Sequence, residues 1–550
     1  MKDNFRIALR AEPTYRLGDP VPVTFELTNT SDHDFRVLVW DTPLEQHEAQ
    51  EVFQYFKVRR GELLVPYDGR FVKRGDPDPS AYVLVRAGES TVETVDLTTA
   101  FPITDPGTYT ATLDSRILDV ITLDRDAPGA RNRDEHVGFD LDPLTVTFEV
   151  VGDGAARATI AESLRRELGP PLDPTTVRAL VAKLAPLDPV LIGGTPAQQG
   201  DVRTAHENAG AFAEASMRQL DWTAGGTNAL STEWFGAFDA GRYATVRQHY
   251  ADSSAVIAGQ QLTYDLTGSG CQPGWFAYTY KGTRKVWLCS SFWSAGATGT
   301  DSKFGTLVHE LSHAVSSTDD VVYGPVNARN LASTKPADAI RNADNHEYFA
   351  EGLSDLLVTA PVVWNNGKAY LFTAGRYYRY DIAADKVDPG YPLAIAGNWP
   401  GLFPDRVDAG VVWNNGKAYF FRGSQYMRYD IAADRVDPGY PLPIAGNWPG
   451  LWGEGIDAAV VWPNGKAYFF RGSQYMRYDI AADRVDPGYP LPIAGNWPGL
   501  WPADLTGGVV WPNGKAYFFR GSQYMRYDVA ADRVDPGYPL PVNPYWPGLP

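Results

Sequence analysis

The C-terminal third of this 550-residue chain consists of one segment that occurs four times. The motif Val-Trp-x-x-Gly-Lys-Ala-Tyr recurs every 49 residues, with its tryptophan at Trp364, Trp413, Trp462 and Trp511. Between these motifs, short aromatic stretches alternate with Asn-Gly and Gly-Ser turns, which is typical of β-hairpins. A unit of this length cannot bury its apolar face alone, so successive units must stack on one another. We therefore predict a four-bladed β-propeller over residues 358–550.

The acidic excess of the chain lies outside these repeats. Residues 358–550 contain 17 acidic and 17 basic side chains, so the formal charge of −17 comes from residues 1–357. No Lys/Arg-rich run occurs, and a chain without a basic face is a poor partner for a phosphate backbone, so we expect no nucleic-acid partner. No apolar run approaches the ~20 residues that cross a bilayer, so we expect no membrane span.

The N-terminal part has the pattern of a β-rich domain. Residues 21–28 and 36–40 alternate apolar and polar side chains between Gly, Pro, Asp and Asn turns, which predicts a β-sandwich over residues 1–152. Residues 153–204 have helical spacing at 155–168 and 174–184, broken by prolines and glycines, and we interpret them as a linker or activation segment. Charges interrupt the first ten residues, so we expect export by a route without a signal peptide, with storage in the cytoplasm before release also open.

A metal-binding motif stands out between these two regions. Residues 309–313 read His-Glu-Leu-Ser-His within a stretch of helical apolar spacing. Residues i and i+4 share one helix face, so His309 and His313 are predicted to bind one Zn²⁺ ion, and Glu310 is predicted to act as a general base toward water held there. The motif therefore predicts a zinc hydrolase with one catalytic ion.

A catalytic zinc site needs a third protein ligand and one open position. In a metzincin the third ligand would lie six residues beyond His313, at Asp319, and a methionine turn would follow. No methionine occurs between Met217 and Met427, and Ser316 stands where that pattern requires glycine, so we reject this class. Residues 317–324, Ser-Thr-Asp-Asp-Val-Val-Tyr-Gly, are instead similar to the aspzincin pattern Gly-Thr-x-Asp-x-x-Tyr-Gly, in which Asp320 is the ligand. The spacing after His313 keeps the adjacent Asp319 open as the alternative.

Further segments of residues 205–357 resemble the peptidyl-Lys metalloendopeptidases, the deuterolysin-like group of the aspzincins. They are residues 342–351 (Asn-Ala-Asp-Asn-His-Glu-Tyr-Phe-Ala-Glu), 234–236, 247–250 and 298–302. The resemblance implies an α+β zinc-protease domain in which His309, His313 and Asp320 hold the ion. It also implies that Glu310 is the general base and that Tyr323 donates a hydrogen bond to the oxyanion.

The same resemblance implies a substrate preference. Asp344 and Glu347 match residues that line an acidic pocket for the lysine after the scissile bond, so cleavage is expected on the amino side of lysine, in lysine-containing proteins and peptides. Two carboxylates in a partly dry pocket suit the long stem and compact charge of a lysine. The alternative is that both lie on a solvated helix face.

The two cysteines, Cys271 and Cys289, lie 18 residues apart. Their spacing alone is compatible with one local disulfide or with two thiols, and the resemblance implies the disulfide. With both cysteines in the protease region, a cysteine-based zymogen lock is excluded, so any latency must come from the sandwich or the linker covering the cleft. We predict an activating cut between about residues 150 and 205, where Lys183 is the only lysine.

The flanking regions also resemble known families. The repeats resemble hemopexin, which implies a propeller with an additional ion in its channel near Asp408 and Asp457. We expect this propeller to bind a substrate or a surface, with a protein or a glycan as its ligand, and the alternative is that it serves as a spacer. Residues 87–90, 107–111 and 144–148 resemble a deuterolysin-type propeptide. The sequence thus predicts a multidomain zinc endopeptidase, and the alternative is a non-catalytic or latent binding protein that acts through its propeller.

Overall fold

The computed structural model describes residues 1–45, 51–123, 129–168, 187–222, 229–503, 505–521 and 523–549. They form two compact units, one made of Met1–Gly296 with Asp301–Phe349 and the other of Ala297–Thr300 with Ala350–Pro550. The helix predicted at 174–184 and Lys183 lie outside the described residues. Within the described ranges, no helix combines the length and apolar content needed to cross a bilayer.

The N-terminal part is built from β-sheets, as the alternating pattern predicted, and their strands pair antiparallel except for Thr14–Arg16, which runs parallel to Leu144–Val151. In the strand Pro22–Asn29, Val23, Phe25 and Leu27 are fully buried while the residues between them face outward. The strands of this region are β1 Phe5–Ala11, β2 Thr14–Arg16, β3 Pro22–Asn29, β4 Phe35–Leu38, β5 Phe56–Arg60, β6 Leu63–Val65, β7 Arg70–Arg74, β8 Tyr82–Val85, β9 Ser90–Asp96, β10 Gly107–Leu113, β11 Arg116–Ile117, β12 Val120–Thr122, β13 Phe139–Asp140 and β14 Leu144–Val151.

Two of these sheets share one apolar core. The sheet β1-β3-β9 and the sheet β2-β14-β10-β5-β6 both send buried side chains into it, among them Phe25 from the first sheet and Tyr109 and Phe148 from the second. Smaller sheets, β12-β4-β8 and β11-β13, complete the region. Strand β7 is the exception, because it pairs with none of these strands.

The region around the His-Glu-x-x-His motif combines helices with a five-stranded sheet of order β15-β16-β18-β17-β7. Its own strands are β15 Val190–Ile192, β16 Thr263–Asp265, β17 Trp275–Tyr280 and β18 Lys285–Leu288. The first three in sheet order are parallel, whereas β17 runs antiparallel to β18, and β7 runs antiparallel to β17. The described helices up to the propeller are α1 Ile160–Leu168, α2 Pro196–Trp222, α3 Ala229–Phe235, α4 Ala240–Gly259, α5 Ser290–Ser294, α6 Lys303–Ser316, α7 Pro325–Thr334, α8 Pro336–Ala339 and α9 Ala343–Leu356.

A disulfide joins Cys271 to Cys289, as predicted, and encloses the β17–β18 hairpin. Constraining a loop of this length in the unfolded chain stabilises the folded state by about 3 kcal/mol. We expect replacement of both cysteines by serine to lower the free energy of unfolding of this unit by about that amount, measured by urea unfolding. Dithiothreitol should lower the stability of the unaltered chain to the same level and leave the double variant unchanged. Equal stability of the oxidised chain and the double variant would contradict the prediction.

The C-terminal unit is a four-bladed propeller, as the repeats predicted. The innermost strand of each blade contacts that of the next, and the fourth contacts the first, so the ring closes. Its strands are β19 Thr359–Val363, β20 Lys368–Thr373, β21 Arg376–Asp381, β22 Lys386–Val387, β23 Leu393–Ala394, β24 Ala409–Val412, β25 Lys417–Arg422, β26 Gln425–Asp430, β27 Arg435–Val436, β28 Leu442–Pro443, β29 Ala458–Val461, β30 Lys466–Arg471, β31 Gln474–Asp479, β32 Arg484–Val485, β33 Leu491–Pro492, β34 Gly507–Val510, β35 Lys515–Arg520, β36 Gln523–Asp528, β37 Arg533–Val534 and β38 Leu540–Pro541, before the short helix α10 Val542–Tyr545.

Charge balance within the propeller follows from its repeats. In the second blade, Lys417 Nζ lies 2.7 Å from Asp430 and 3.0 Å from Asp437, and the other three blades repeat this arrangement. In each blade an arginine also pairs with the second aspartate, so two basic and two acidic side chains balance within the network. The predicted channel ion near Asp408 and Asp457 stays a prediction.

Candidate active site

Helix α6 carries the His-Glu-x-x-His motif. It begins after Ser302, whose hydroxyl accepts a hydrogen bond from the Gly305 N–H at 3.0 Å and so caps the helix. His309, Glu310 and His313 are fully buried. The two imidazoles stand one turn apart, with their Nε2 atoms 3.1 Å from each other.

A tight turn after α6 brings Asp320 to the same point. Ser317 closes the helix in the left-handed conformation, with φ of 57°. Asp320 Oδ1 then lies 3.1 Å from His313 Nε2 and 3.2 Å from His309 Nε2. Asp319, the alternative third ligand, points elsewhere, because its carboxylate accepts hydrogen bonds from Arg341 at 2.8 Å and from Gln54 at 2.8 Å.

These three ligand atoms suit a metal ion. Ligands at zinc bond lengths around a tetrahedral ion lie about 3.3 Å apart, close to the 3.1–3.2 Å seen between His309, His313 and Asp320. The Nδ1–H of His313 donates to the Thr318 carbonyl at 2.9 Å, which leaves the lone pair on Nε2. His309 Nδ1 lies 2.9 Å from Asp344 Oδ1, so a carboxylate adjoins the outer nitrogen of this imidazole as in many metal sites, although the two atoms are not aligned for a hydrogen bond.

The charges around His309, His313 and Asp320 also favour the binding of a cation. Burial alone would lower the pKa of His309, but the carboxylates of Asp320, Asp344 and Glu347 outweigh it and raise that pKa well above its usual value. Burial would raise the pKa of Asp320, but His313 and His309 outweigh it and lower it. The cluster is therefore one that stabilises positive charge.

Glu310 lies beside these ligands in a dry environment. Its Oε1 accepts a hydrogen bond from the Lys73 N–H at 3.2 Å, and among the described residues its Oε2 has no hydrogen-bond partner. Burial raises the pKa of Glu310 to about 8, despite the opposing effect of His309. A cation at the three ligands would favour the carboxylate form of Glu310.

Tyr323 is held at the same cleft. Its hydroxyl oxygen accepts a hydrogen bond from Arg74 Nε at 3.3 Å, and the side chain is buried. Burial, followed by the charge of Asp320, raises the pKa of this hydroxyl. Tyr323 therefore stays protonated and able to donate a hydrogen bond.

An acidic pocket next to the ligands holds a lysine from the N-terminal region. Lys73 Nζ lies 2.5 Å from Glu347 Oε2 and 2.9 Å from Asp301 Oδ1, and the side chains of Lys73 and Glu347 are fully buried. The rings of Phe276 and Tyr348 lie 5.1 and 5.6 Å from the ammonium nitrogen. Burial would lower the pKa of Lys73, but Asp301 and Glu347 outweigh it and raise it, so the ammonium form is held.

The pocket differs from the sequence expectation in one member. Glu347 contacts the ammonium group, but Asp344 turns toward His309 and accepts a hydrogen bond from the Gly324 N–H at 2.7 Å. Asp301 provides the second carboxylate, and sequence reasoning missed it. One feature of the sequence could have indicated it, because Asp301 directly precedes Ser302, the N-cap of α6. In the structure, the backbone of Asp301 lies in the left-handed region, with φ of 54°.

Groups that could hold a metal occur at two places among the described residues. One is His309, His313 and Asp320, and the other is His309 with Asp344 and Glu347. At the second, the ammonium group of Lys73 supplies the positive charge. The first group is therefore the candidate metal site.

Comparison with known proteins finds a matching family for the region of the candidate site and another for the propeller. Residues 222–351 match the family described as lysine-specific metallo-endopeptidase, Aspzincin_M35. Residues 358–403, 407–453, 456–502 and 509–550 each match hemopexin.

Individual relatives agree with these matches. An extracellular protease of Aeromonas hydrophila is 34% identical over 338 residues, which cover 60% of this chain and 88% of the relative. A peptidyl-Lys metalloendopeptidase of Pleurotus ostreatus is 39% identical over 163 residues, covering 29% of this chain and 95% of the relative. A solved zinc peptidase from Grifola frondosa is 38% identical and covers 29% of this chain and 97% of its own, with a TM-score of 0.27.

Proposed function

Because the chain belongs to the aspzincin family of metalloendopeptidases, we propose that it uses one Zn²⁺ ion to hydrolyse peptide bonds on the amino side of lysine. The observation that carries the lysine preference is the ammonium group of Lys73, which lies between Glu347 and Asp301 beside the candidate metal ligands. A substrate lysine presents the same group on the same stem. The alternative of a non-catalytic binding protein is disfavoured, because both histidines and Glu310 are retained in one buried cluster.

His309, His313 and Asp320 would hold the zinc. When bound, the ion supplies Lewis-acid chemistry, polarising the peptide carbonyl and acidifying water. Glu310 would accept the proton of that water and pass it to the leaving amine. The Lys73 N–H, a peptide nitrogen 3.2 Å from Glu310 Oε1, supports this assignment.

Two further side chains would assist the reaction. Tyr323 would donate a hydrogen bond to the oxygen that gains negative charge, once Arg74 no longer occupies its hydroxyl. Asp344, 2.9 Å from His309 Nδ1, would orient that ligand rather than bind the substrate.

The propeller and the location of the protein belong to the same proposal. We assign to the propeller the binding of a substrate or a surface, with a protein or a glycan as its ligand and an additional ion in its channel. We place the enzyme outside the cell, since the Aeromonas relative is named an extracellular protease.

Mapping of cleavage sites tests the proposed reaction. An unstructured protein is incubated with the full chain carrying Lys73→Ala, which vacates the pocket, and the products are sequenced by mass spectrometry. We expect lysine after the scissile bond at least about tenfold more often than arginine, because the pocket matches a compact ammonium group. The same chain with Glu310→Gln is the control for a contaminating protease. Cleavage without preference for lysine would refute the specificity and leave the metalloprotease standing.

A further inference from the structure

An aromatic ring lies against one of the candidate metal ligands. The ring of Phe71, in strand β7, stacks on the imidazole of His313, with ring centres 4.6 Å apart and ring planes at 27°. Residues i and i+2 of a strand share one face, so Phe71 lies on the same face of β7 as Lys73, whose ammonium group fills the acidic pocket. The two side chains therefore occupy two places on one side of the strand.

A lysine of the protease region lies over the same ring. Lys281 Nζ is 4.7 Å from the centre of the Phe71 ring, within the range of a cation–π interaction. The side chain of Lys281 is only 21% exposed, and such an interaction strengthens when the cation is withdrawn from water. The ring at this place thus has an aromatic contact with His313 and a cationic contact with Lys281.

Both partners of the ring are held in position by their neighbours. Lys281 Nζ pairs with Asp319 Oδ1 at 3.2 Å, and Arg341 donates to the other oxygen of Asp319 at 2.8 Å. The Nδ1–H of His313 donates to the Thr318 carbonyl at 2.9 Å, which fixes the orientation of the imidazole. Asp319 therefore holds a cation beside the imidazole of a candidate metal ligand.

The order of residues in β7 relates this place to the proposed reaction. Lys73 fills the pocket that is expected to receive the lysine after the scissile bond. Val72 stands directly before Lys73, and Phe71 is the second residue before it. A substrate that pairs with β17 in the same register would set the side chain of its second residue before the scissile bond against His313 and Lys281.

The chemistry of this place favours an aromatic side chain. The face of an aromatic ring carries partial negative charge, so it attracts an ammonium group, and it also stacks on an imidazole. An aliphatic side chain of similar size gains only the apolar contact. An acidic side chain could pair with Lys281, but Asp319 and Asp320 lie beside it and would repel its charge.

We propose that His313 and Lys281 form a subsite for an aromatic side chain two residues before the scissile bond, and that Asp319 positions Lys281 in it. The inference rests on the proposed endopeptidase function and adds a second element to its substrate specificity. The preferred substrate segment is then an aromatic residue, one intervening residue and a lysine, with the cut before the lysine.

Hydrolysis of paired peptides tests the subsite. The peptides contain Phe-Ala-Lys or Leu-Ala-Lys, and the full chain carries Phe71→Ala and Lys73→Ala, so that no β7 side chain fills either place. We expect kcat/KM to be about tenfold higher for the phenylalanine peptide, because only its ring gains the cation–π and stacking contacts. The chain with Lys73→Ala alone should show the same order, which guards against misfolding of the double variant. Equal values for the two peptides in both chains would overturn the proposal.

Variants of Lys281 assign the preference to this subsite. Lys281→Met keeps an apolar stem and should lower the preference for phenylalanine to about threefold or less, whereas Lys281→Arg should keep it. Asp319→Asn should lower it as well, because Lys281 loses its partner. Lys285→Met is the matched control, since Lys285 also pairs with an aspartate, Asp265 at 2.8 Å, and lies over an aromatic ring, Trp287 at 4.5 Å. An equal loss of preference in Lys281→Met and Lys285→Met would contradict the assignment.

Peptide binding separates the subsite from the proposed reaction. With Glu310→Gln added to prevent hydrolysis, the labelled phenylalanine peptide should bind about tenfold more tightly than the leucine peptide, measured by fluorescence anisotropy. This order of binding, with no hydrolysis by any chain that retains Glu310, would support the subsite and refute the endopeptidase. Hydrolysis before lysine with no preference for phenylalanine would instead overturn the subsite and leave the proposed function standing.

Discussion

Replacement of Glu310 by glutamine is expected to lower kcat/KM for a lysine-containing peptide by about 10³-fold or more, in the Lys73→Ala background that frees the cleft. Glutamine keeps the size of the side chain but cannot accept a proton from water or return one to the leaving amine. The carboxylate also has an oxygen without a hydrogen-bond partner among the described residues, beside the three candidate ligands, where such a proton would be received. Steady-state hydrolysis of a quenched peptide measures the loss.

The metal content of the variant distinguishes catalysis from structure. Glu310 contributes no ligand atom to the candidate metal site, so the variant and its parent should each bind one zinc per chain. Glu233→Gln is the matched control, since Glu233 is partly exposed and pairs with Arg329 at the surface. Activity of Glu310→Gln within about threefold of the parent, with zinc bound, would refute the assignment of the general base.

The candidate metal ligands show how much of the site can be predicted from local sequence. His309 and His313 follow from helical spacing alone, because a regular helix fixes which side chains share a face. The third ligand did not follow, because Asp319 and Asp320 are neighbours in an irregular segment where no period chooses between them. The left-handed turn at Ser317 and the contacts of Asp319 with Arg341 and Gln54 decide which carboxylate faces the histidines.

The acidic pocket around Lys73 contains residues that local sequence could not predict. Glu347 was predicted from its motif, but Asp301 lies 46 positions earlier and reaches the same point only through the fold. Lys73 lies more than 200 residues from the strand that it pairs with, inside a region whose pattern predicted only a sandwich. Period-2 alternation indicates that a segment is a strand, but it does not indicate which sheet the strand joins.

Removing one carboxylate from the lysine pocket is expected to have two effects of opposite sign. In the Lys73→Ala background, Glu347→Gln or Asp301→Asn should lower the preference for lysine over alanine by about 100-fold, because the buried ammonium group loses half of its counter-charge. In the chain with Lys73 intact, the same substitutions should raise the hydrolysis of peptides without lysine, because β7 is held less tightly. The ratio of kcat/KM values for paired Ala-Lys and Ala-Ala peptides measures the first effect.

Asp301 and Glu347 differ in their other contacts, so comparing their variants makes this test more specific. Asp301 pairs with Arg133 as well as Lys73, and Arg133 donates a hydrogen bond to the Arg74 carbonyl of β7 at 2.9 Å. Asp301→Asn should therefore weaken two contacts of β7 and raise the activity of the intact chain more than Glu347→Gln does. Asp338→Asn, on the exposed surface beside Arg341, should change neither the preference for lysine nor the activity of the chain with Lys73 intact. An unchanged lysine preference in both pocket variants would exclude the pocket as the specificity site, even if the intact chain became active. Loss of preference without activation would instead mean that Lys73 contributes little to holding β7, and that the pairs of Arg70 and Arg74 with Glu51 and Glu45 keep the strand in place.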